Sequence, residues 1–176
     1  MPSLKPDTNL YYSTYTNLNW LLVLKRDKHK QIIIDSLNYL SKNHRVIVYG
    51  FVIMPNHIHL IWQIINNDLP NVQRDFLKYT AQQIKFSLIE TNDQLLDDLV
   101  VNAKDRKVQI WERNGLSFVL KEYTTAVQKL NYIHNNPIQE KWKLANTIEE
   151  YYFSSAAFYF KNETTFAFLR HLNEIK

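Results

Sequence analysis

No cysteine occurs in this chain of 176 residues, which excludes disulfides, thiolate metal sites and cysteine nucleophiles and makes a cytoplasmic setting the simpler expectation. Glycine is nearly as scarce. Gly50 and Gly115 are the only two, so no Gly/Ser linker divides the sequence; with no repeat and no low-complexity stretch, the economical reading is one domain over residues 1–176. Long apolar runs are missing as well. The opening Met1-Pro2-Ser3-Leu4-Lys5-Pro6-Asp7 does not resemble a signal peptide, and the nearest apolar run, Trp20 to Leu24, is too short to span a bilayer. The expectation is a soluble intracellular protein with no membrane partner.

What remains is an ordinary globular composition, 45% hydrophobic and 22% charged, with enough chain to bury a core without staples. A net charge of +4 and a pI of about 9.1 lean toward a polyanionic partner, with basic residues gathered at Lys25, Arg26, Lys28, His29 and Lys30 and again at Lys104, Arg106 and Lys107. The 11 tyrosines and 9 phenylalanines would suit base stacking, although filling a core is the commoner use of such rings. Composition alone does not establish nucleic-acid binding.

Hydrophobic periodicity predicts extended segments over Tyr11 to Thr16 and Trp20 to Leu24, then a helix from Asp27 to Asn43 with Ile32, Ile33, Leu37 and Leu40 at helical spacing. Arg45 to Ile53 and His57 to Ile65 read as strands joined in a hairpin at Met54-Pro55-Asn56. A helix over Asn71 to Ile89, an acidic helical stretch from Gln94 to Val100, and a strand at Val108 to Trp111 before the Asn114-Gly115 turn follow. The last clear helix runs from Lys121 to Asn135 and is closed by Pro137. This order predicts an α+β fold, a ferredoxin-like or RRM-like antiparallel sheet with helices on one face. The C-terminal helix is the natural element to cover the other face.

Within the second strand of the hairpin, His57 and His59 are spaced by two and project from one face, while Ile58, Leu60 and Trp62 point to the other, where a core would absorb them. Such a pair is half of a metal site or two hydrogen-bonded residues on a half-exposed strand. On the last helix, Tyr123, Ala126, Val127, Leu130 and Ile133 share an apolar sector at about 100° per residue. Tyr132 lies on the opposite side with Lys121, Thr125, Gln128 and Asn136. That places a phenol and an amide four residues later in the same direction, or simply a surface tyrosine on an amphipathic helix. Asn136 directly precedes Pro137, a position biased away from α geometry.

The segments Tyr49-Gly50-Phe51-Val52-Ile53-Met54-Pro55-Asn56-His57-Ile58-His59-Leu60 and Leu130-Asn131-Tyr132-Ile133-His134-Asn135-Asn136-Pro137 resemble the two signature motifs of single-tyrosine transposases of the HUH superfamily. Within that group the chain is most similar to the REP-associated tyrosine transposases. Gln109-Ile110-Trp111-Glu112-Arg113 before the tyrosine helix and Tyr151-Tyr152-Phe153-Ser154-Ser155-Ala156 after it extend the likeness over residues 45 to 160. The chain departs from the pattern at Ile138-Gln139-Glu140-Lys141-Trp142, where the family commonly has a Val-Arg-Ala-Gly-like stretch.

The resemblance implies Mg²⁺ or Mn²⁺ held by His57, His59 and Asn136, with Tyr132 as the nucleophile that forms a 5′-phosphotyrosine link and frees a 3′-hydroxyl. Two neutral imidazoles and one amide oxygen suit a cation meant to grip and polarise a phosphate. Tyrosine, with an ordinary pKa of about 10, needs such electrostatic help. The covalent link conserves the energy of the broken phosphodiester, so strands can be rejoined in a new order. The implied partner is single-stranded DNA with hairpin or repeat elements, met by a monomer or homodimer that is nucleoid-associated when bound. The alternatives are a domesticated nucleic-acid-binding module without catalysis and a hydrolytic metal-dependent nuclease. Arg113, Lys121, Lys129, Arg74 and Lys78 are the candidate phosphate contacts. His134 reads as a packing or hydrogen-bonding residue, Trp111 as a core anchor, and His29, His44 and His171 as surface residues.

Overall fold

A computed structural model describes residues 9–175; the opening heptapeptide read for a leader lies outside them. Its strands are β1 (Leu10–Thr16), β2 (Val46–Ile53), β3 (His57–Ile64) and β4 (Leu116–Val119), and its helices α1 (Asp27–Lys42), α2 (Leu69–Glu90), the single turn α3 (Leu95–Asp98), α4 (Tyr123–Asn135) and α5 (Ala156–Lys161). The strands form one antiparallel sheet in the order β2-β3-β1-β4. The α+β architecture is the predicted one. Among the described residues no helix is long and apolar enough to cross a membrane.

Alternation along β3 decides what each face carries. Trp62 points away from the histidines and is fully buried against Tyr15 and Phe76, its indole N–H donating to Ser13 Oγ at 2.9 Å. Phe76 belongs to α2, which packs on α1, so these two helices cover that face. Helix α4 lies against β2 and β3 from the other side, and Gly50, paired with Ile61, is where it comes closest. A Cβ at Gly50 would stand 2.5 Å from Leu130 Cδ1 and 3.4 Å from Ile133 Cδ1. Gly50→Ala is therefore expected to lose about 1–3 kcal/mol through overpacking. Thermal or urea unfolding of Gly50→Ala with and without Leu130→Ala checks this: the second substitution should recover part of the loss.

β2 is an edge strand, and the C-terminal segment closes it. Ile53 N donates to Phe153 O at 2.9 Å, Ser155 N to Phe51 O at 2.9 Å and Arg170 N to Val48 O at 3.0 Å, while the Tyr151 hydroxyl caps Ile53 O at 2.7 Å. These bonds satisfy edge groups that would otherwise recruit another chain.

Four local expectations are corrected. Trp20 to Leu24 is not extended but belongs to two 3-10 turns, Leu18–Trp20 and Val23–Lys25, because Val23 and Leu24 plug the core end while Leu24 N bonds Pro55 O rather than a ladder partner. Val108 to Trp111 is a buried loop with isolated bridges to Val100 and Asn17; the fourth strand lies beyond Gly115, where the exposure of Leu116 and Val119 hides its signal. His29 is not a surface residue, since its ring is buried between Val23 O at 2.6 Å and Ser87 Oγ at 3.0 Å. The acidic stretch after α2 contracts to the one turn of α3.

Candidate active site

His57 and His59 stand side by side on the α4 face of β3, their ring centroids 4.8 Å apart and their planes at 76°. Each has its Nδ1 engaged. His57 Nδ1 lies 2.6 Å from Asn56 Oδ1, an acceptor only, so that nitrogen carries the proton. The β1–β3 register sets Thr14 opposite His59, whose Nδ1 lies 2.7 Å from Thr14 Oγ1 and 3.0 Å from the Tyr12 hydroxyl oxygen. His57 is thereby left with an unprotonated Nε2, the arrangement in which an imidazole ligates a metal with an outer hydrogen bond fixing the ring. Burial pushes His57 down to about 4, with Lys141 adding to the effect and Asn136 opposing it. It pushes His59 down to about 3, assisted by His57 and Lys129. Both rings are therefore neutral donors at neutral pH.

Helix α4 brings the remaining groups. Ala126, Leu130 and Ile133 bury its inner face, which turns Tyr132 along the sheet so that its ring meets His59 at 5.6 Å, edge to face, while remaining 48% exposed. Asn136 keeps right-handed helical geometry (φ −55°, ψ −47°) in spite of Pro137, and the chain continues as the 3-10 turn Asn136–Ile138. The expected pre-proline departure is thus absent. Its physical counterweight is the Asn136 amide N–H donating to Tyr132 O at 3.0 Å. This bond turns the Asn136 oxygen toward His57, whose protonated form it favours. Lys129, one turn before Tyr132, holds its ammonium over the Tyr12, Phe118 and Tyr132 rings at 4.9, 5.6 and 5.7 Å.

Among the described residues no group of three His, Cys, Asp or Glu forms a metal site. The donors here are two imidazole nitrogens and one amide oxygen, without a carboxylate. That set fits a divalent cation which keeps its charge and several open positions for phosphate oxygens. It is a poor match for a closed structural zinc site, which takes four protein donors.

The basic residues divide. Lys129 lies in the site. Lys121 is exposed shortly before α4, and Arg113 is exposed and 3.6 Å from Asp105, which also pairs with Arg106. Arg74 and Lys78 sit on α2, across the sheet from the histidines, and Arg74 pairs with Asp75 at 3.0 Å. Trp111 is the expected core anchor, buried with its N–H donating to Thr80 Oγ1 at 3.1 Å. His44 is exposed and His171 half-buried, its ring tilted against that of Tyr159.

Sequence reasoning passed over Asn56, Thr14 and Tyr12. Asn56 could have been flagged from its place beside His57 in a tight connection; Thr14 and Tyr12 depend on a strand register that no local pattern reveals.

No protein-family model and no curated protein matches the chain. Solved structures do. A REP-associated tyrosine transposase bound to a REP hairpin matches over 93% of this chain and 84% of its own, with a TM-score of 0.64 and 14% identity. A candidate transposase from Deinococcus radiodurans R1 matches over 77% of this chain and 92% of its own, with a TM-score of 0.49 and 17% identity. The first likeness shows that this chain has the tyrosine-transposase fold.

Proposed function

We propose that this protein is a metal-dependent transposase that nicks and rejoins single-stranded, hairpin-containing DNA through a covalent 5′-phosphotyrosine intermediate. One observation carries the reading: two adjacent imidazoles, an amide oxygen and a half-exposed phenol converge on one sheet face, from two strand positions and one helix end. The hairpin-bound neighbour supports the substrate class.

A bound Mg²⁺ or Mn²⁺, held by His57, His59 and Asn136, would polarise the scissile phosphate and offset its charge. Tyr132 lies at the open edge of the site, where a strand can reach it. Attack by its Oη on phosphorus forms the tyrosyl ester and breaks the P–O3′ bond; the phenolic proton passes to solvent at the exposed edge, and the departing oxygen takes a proton from solvent to leave as a 3′-hydroxyl. Lys129 places positive charge beside the phenol and the incoming phosphate. Asn56 holds His57 in the tautomer that leaves Nε2 unprotonated, and Thr14 anchors the His59 ring through its Nδ1.

The test is incubation with single-stranded DNA from the flanks of the protein's own gene, in Mn²⁺ or EDTA, followed by a denaturing gel. A shifted band in Mn²⁺ alone, with the DNA mapped to Tyr132 by mass spectrometry, is the expected result. Cleavage without an adduct would make water the nucleophile. Tight binding with neither cleavage nor adduct would make the protein a binding module.

A further inference from the structure

The turn before α1 presents an aromatic ring that the fold does not use. Trp20 is 63% exposed, so folding gains little from burying it, yet its backbone is left-handed at φ +58°, directly after Asn19 at φ +53°. Asparagine tolerates that region; a bulky aromatic residue does so at a steric cost, and such outliers gather at functional sites. The turn is built to hold the ring in place. Trp20 N donates to Asn17 O at 3.0 Å, Asn56 Nδ2 donates to Trp20 O at 3.3 Å, and Asn19 N donates to Glu112 Oε1 at 2.7 Å.

Two links tie this turn to the site. Asn56, which fixes the His57 tautomer, is the residue that also clamps Trp20. The Gln109-to-Arg113 segment, which the mechanism above leaves without a role, braces the turn from beneath: Ile110 O accepts from Leu18 N at 2.9 Å, and Glu112 holds Asn19. The Trp20 ring lies 6.4 Å from that of His57, and Trp142, half-buried with the Lys141 ammonium 5.2 Å above its ring, flanks His57 at 6.0 Å. Tyr132 meets the other histidine. The site is therefore a row of rings with the nucleophile at one end and two tryptophans and a cation at the other.

We infer that Trp20, with Trp142 flanking the same imidazole, is a stacking platform for an unpaired base adjoining the scissile phosphate. The inference rests on the proposed function for the identity of the reaction, but not for its test. Stacking on an aromatic face is sequence-tolerant, because every base presents a π surface. An unpaired base can leave its own stack to reach the ring, whereas a paired one is held in the duplex.

The measurement uses the Tyr132→Phe protein in EDTA, so that neither cleavage nor metal enters, and two probes of about 15 nucleotides, a length that covers one binding groove: oligo(dT) and an abasic strand with the same phosphates. Fluorescence anisotropy is expected to show oligo(dT) bound about ten-fold more tightly or better. Trp20→Ala should erase most of that preference, while Trp20→Phe should keep most of it; the abasic strand, which reads only phosphate contacts, should bind all three alike. An undiminished preference in Trp20→Ala overturns the platform and leaves the proposed transposase standing. Binding of neither probe overturns the platform on its own. Adduct formation by the wild-type protein on its flank DNA is scored separately, so loss of that activity with the base preference intact would overturn the transposase reading alone.

Discussion

Tyr132→Phe is expected to abolish the covalent DNA adduct, with strand cleavage lowered by about three orders of magnitude or more, while DNA binding and thermal stability stay close to wild type. The structure gives the reason for both halves. The ring packs edge-on against His59 and under Lys129, contacts that phenylalanine keeps; its half-exposed position means that removing one oxygen opens no cavity in the core. What is lost is the hydroxyl that the proposed reaction uses to form the ester. A melting temperature unchanged within about 2 °C would separate this from a folding defect. Retention of cleavage would assign the chemistry to water instead, and the substitution would then change only the gel-shifted product.

The parts legible in the sequence were those set by local periodicity. The strand alternation that places His57 and His59 opposite Trp62 survives intact, because a one-residue slip would turn both imidazoles into the apolar layer beneath α1 and α2 and the indole toward the α4 face. Helix α4 was equally plain, since Ala126, Leu130 and Ile133 define its inner face and leave Tyr132 outside. Long-range pairing was not legible. Thr14 meets His59 only because β1 enters the sheet between β3 and β4, and Trp20 meets His57 only because a strained turn returns to Asn56. The false strand at Val108 to Trp111 arose from the same limit. Burial of Ile110 and Trp111 beneath the turn at residues 17–20 produces an apolar run with no ladder, whereas the true edge strand β4 exposes Leu116 and Val119 and gives little signal.

Ser155→Ala is expected to destabilise the protein by about 2–5 kcal/mol, far more than the loss of one hydroxyl usually implies, because Ser155 Oγ joins the tyrosine helix to the sheet edge. Phe51 N donates to it at 3.0 Å, it lies 3.2 Å from Phe51 O, and His134 Nε2 lies 2.8 Å away. These contacts fit one proton pattern. Ser155 donates to Phe51 O and accepts from Phe51 N and from the His134 Nε2–H, leaving His134 Nδ1 as a bare lone pair, which is the buried atom of that ring without a partner. The opposite tautomer would bury an unpaired N–H. Burial holds His134 down to about 4, so the ring is neutral and cannot recover the loss by charging. Removing the hydroxyl thus strands two buried donors, each worth about 1–3 kcal/mol unsatisfied. Chemical denaturation should show a lower midpoint at unchanged slope. The decisive comparison is the double variant: His134→Leu with Ser155→Ala removes one stranded donor along with its acceptor, so the combined loss should fall short of the sum of the two single losses by about 1–2 kcal/mol. Strict additivity would mean that the two residues act apart. Coupling would mean that the Ser-Ser-Ala segment and the tyrosine helix form one unit, so that the segment after α4 serves to hold in place the helix that carries the proposed nucleophile.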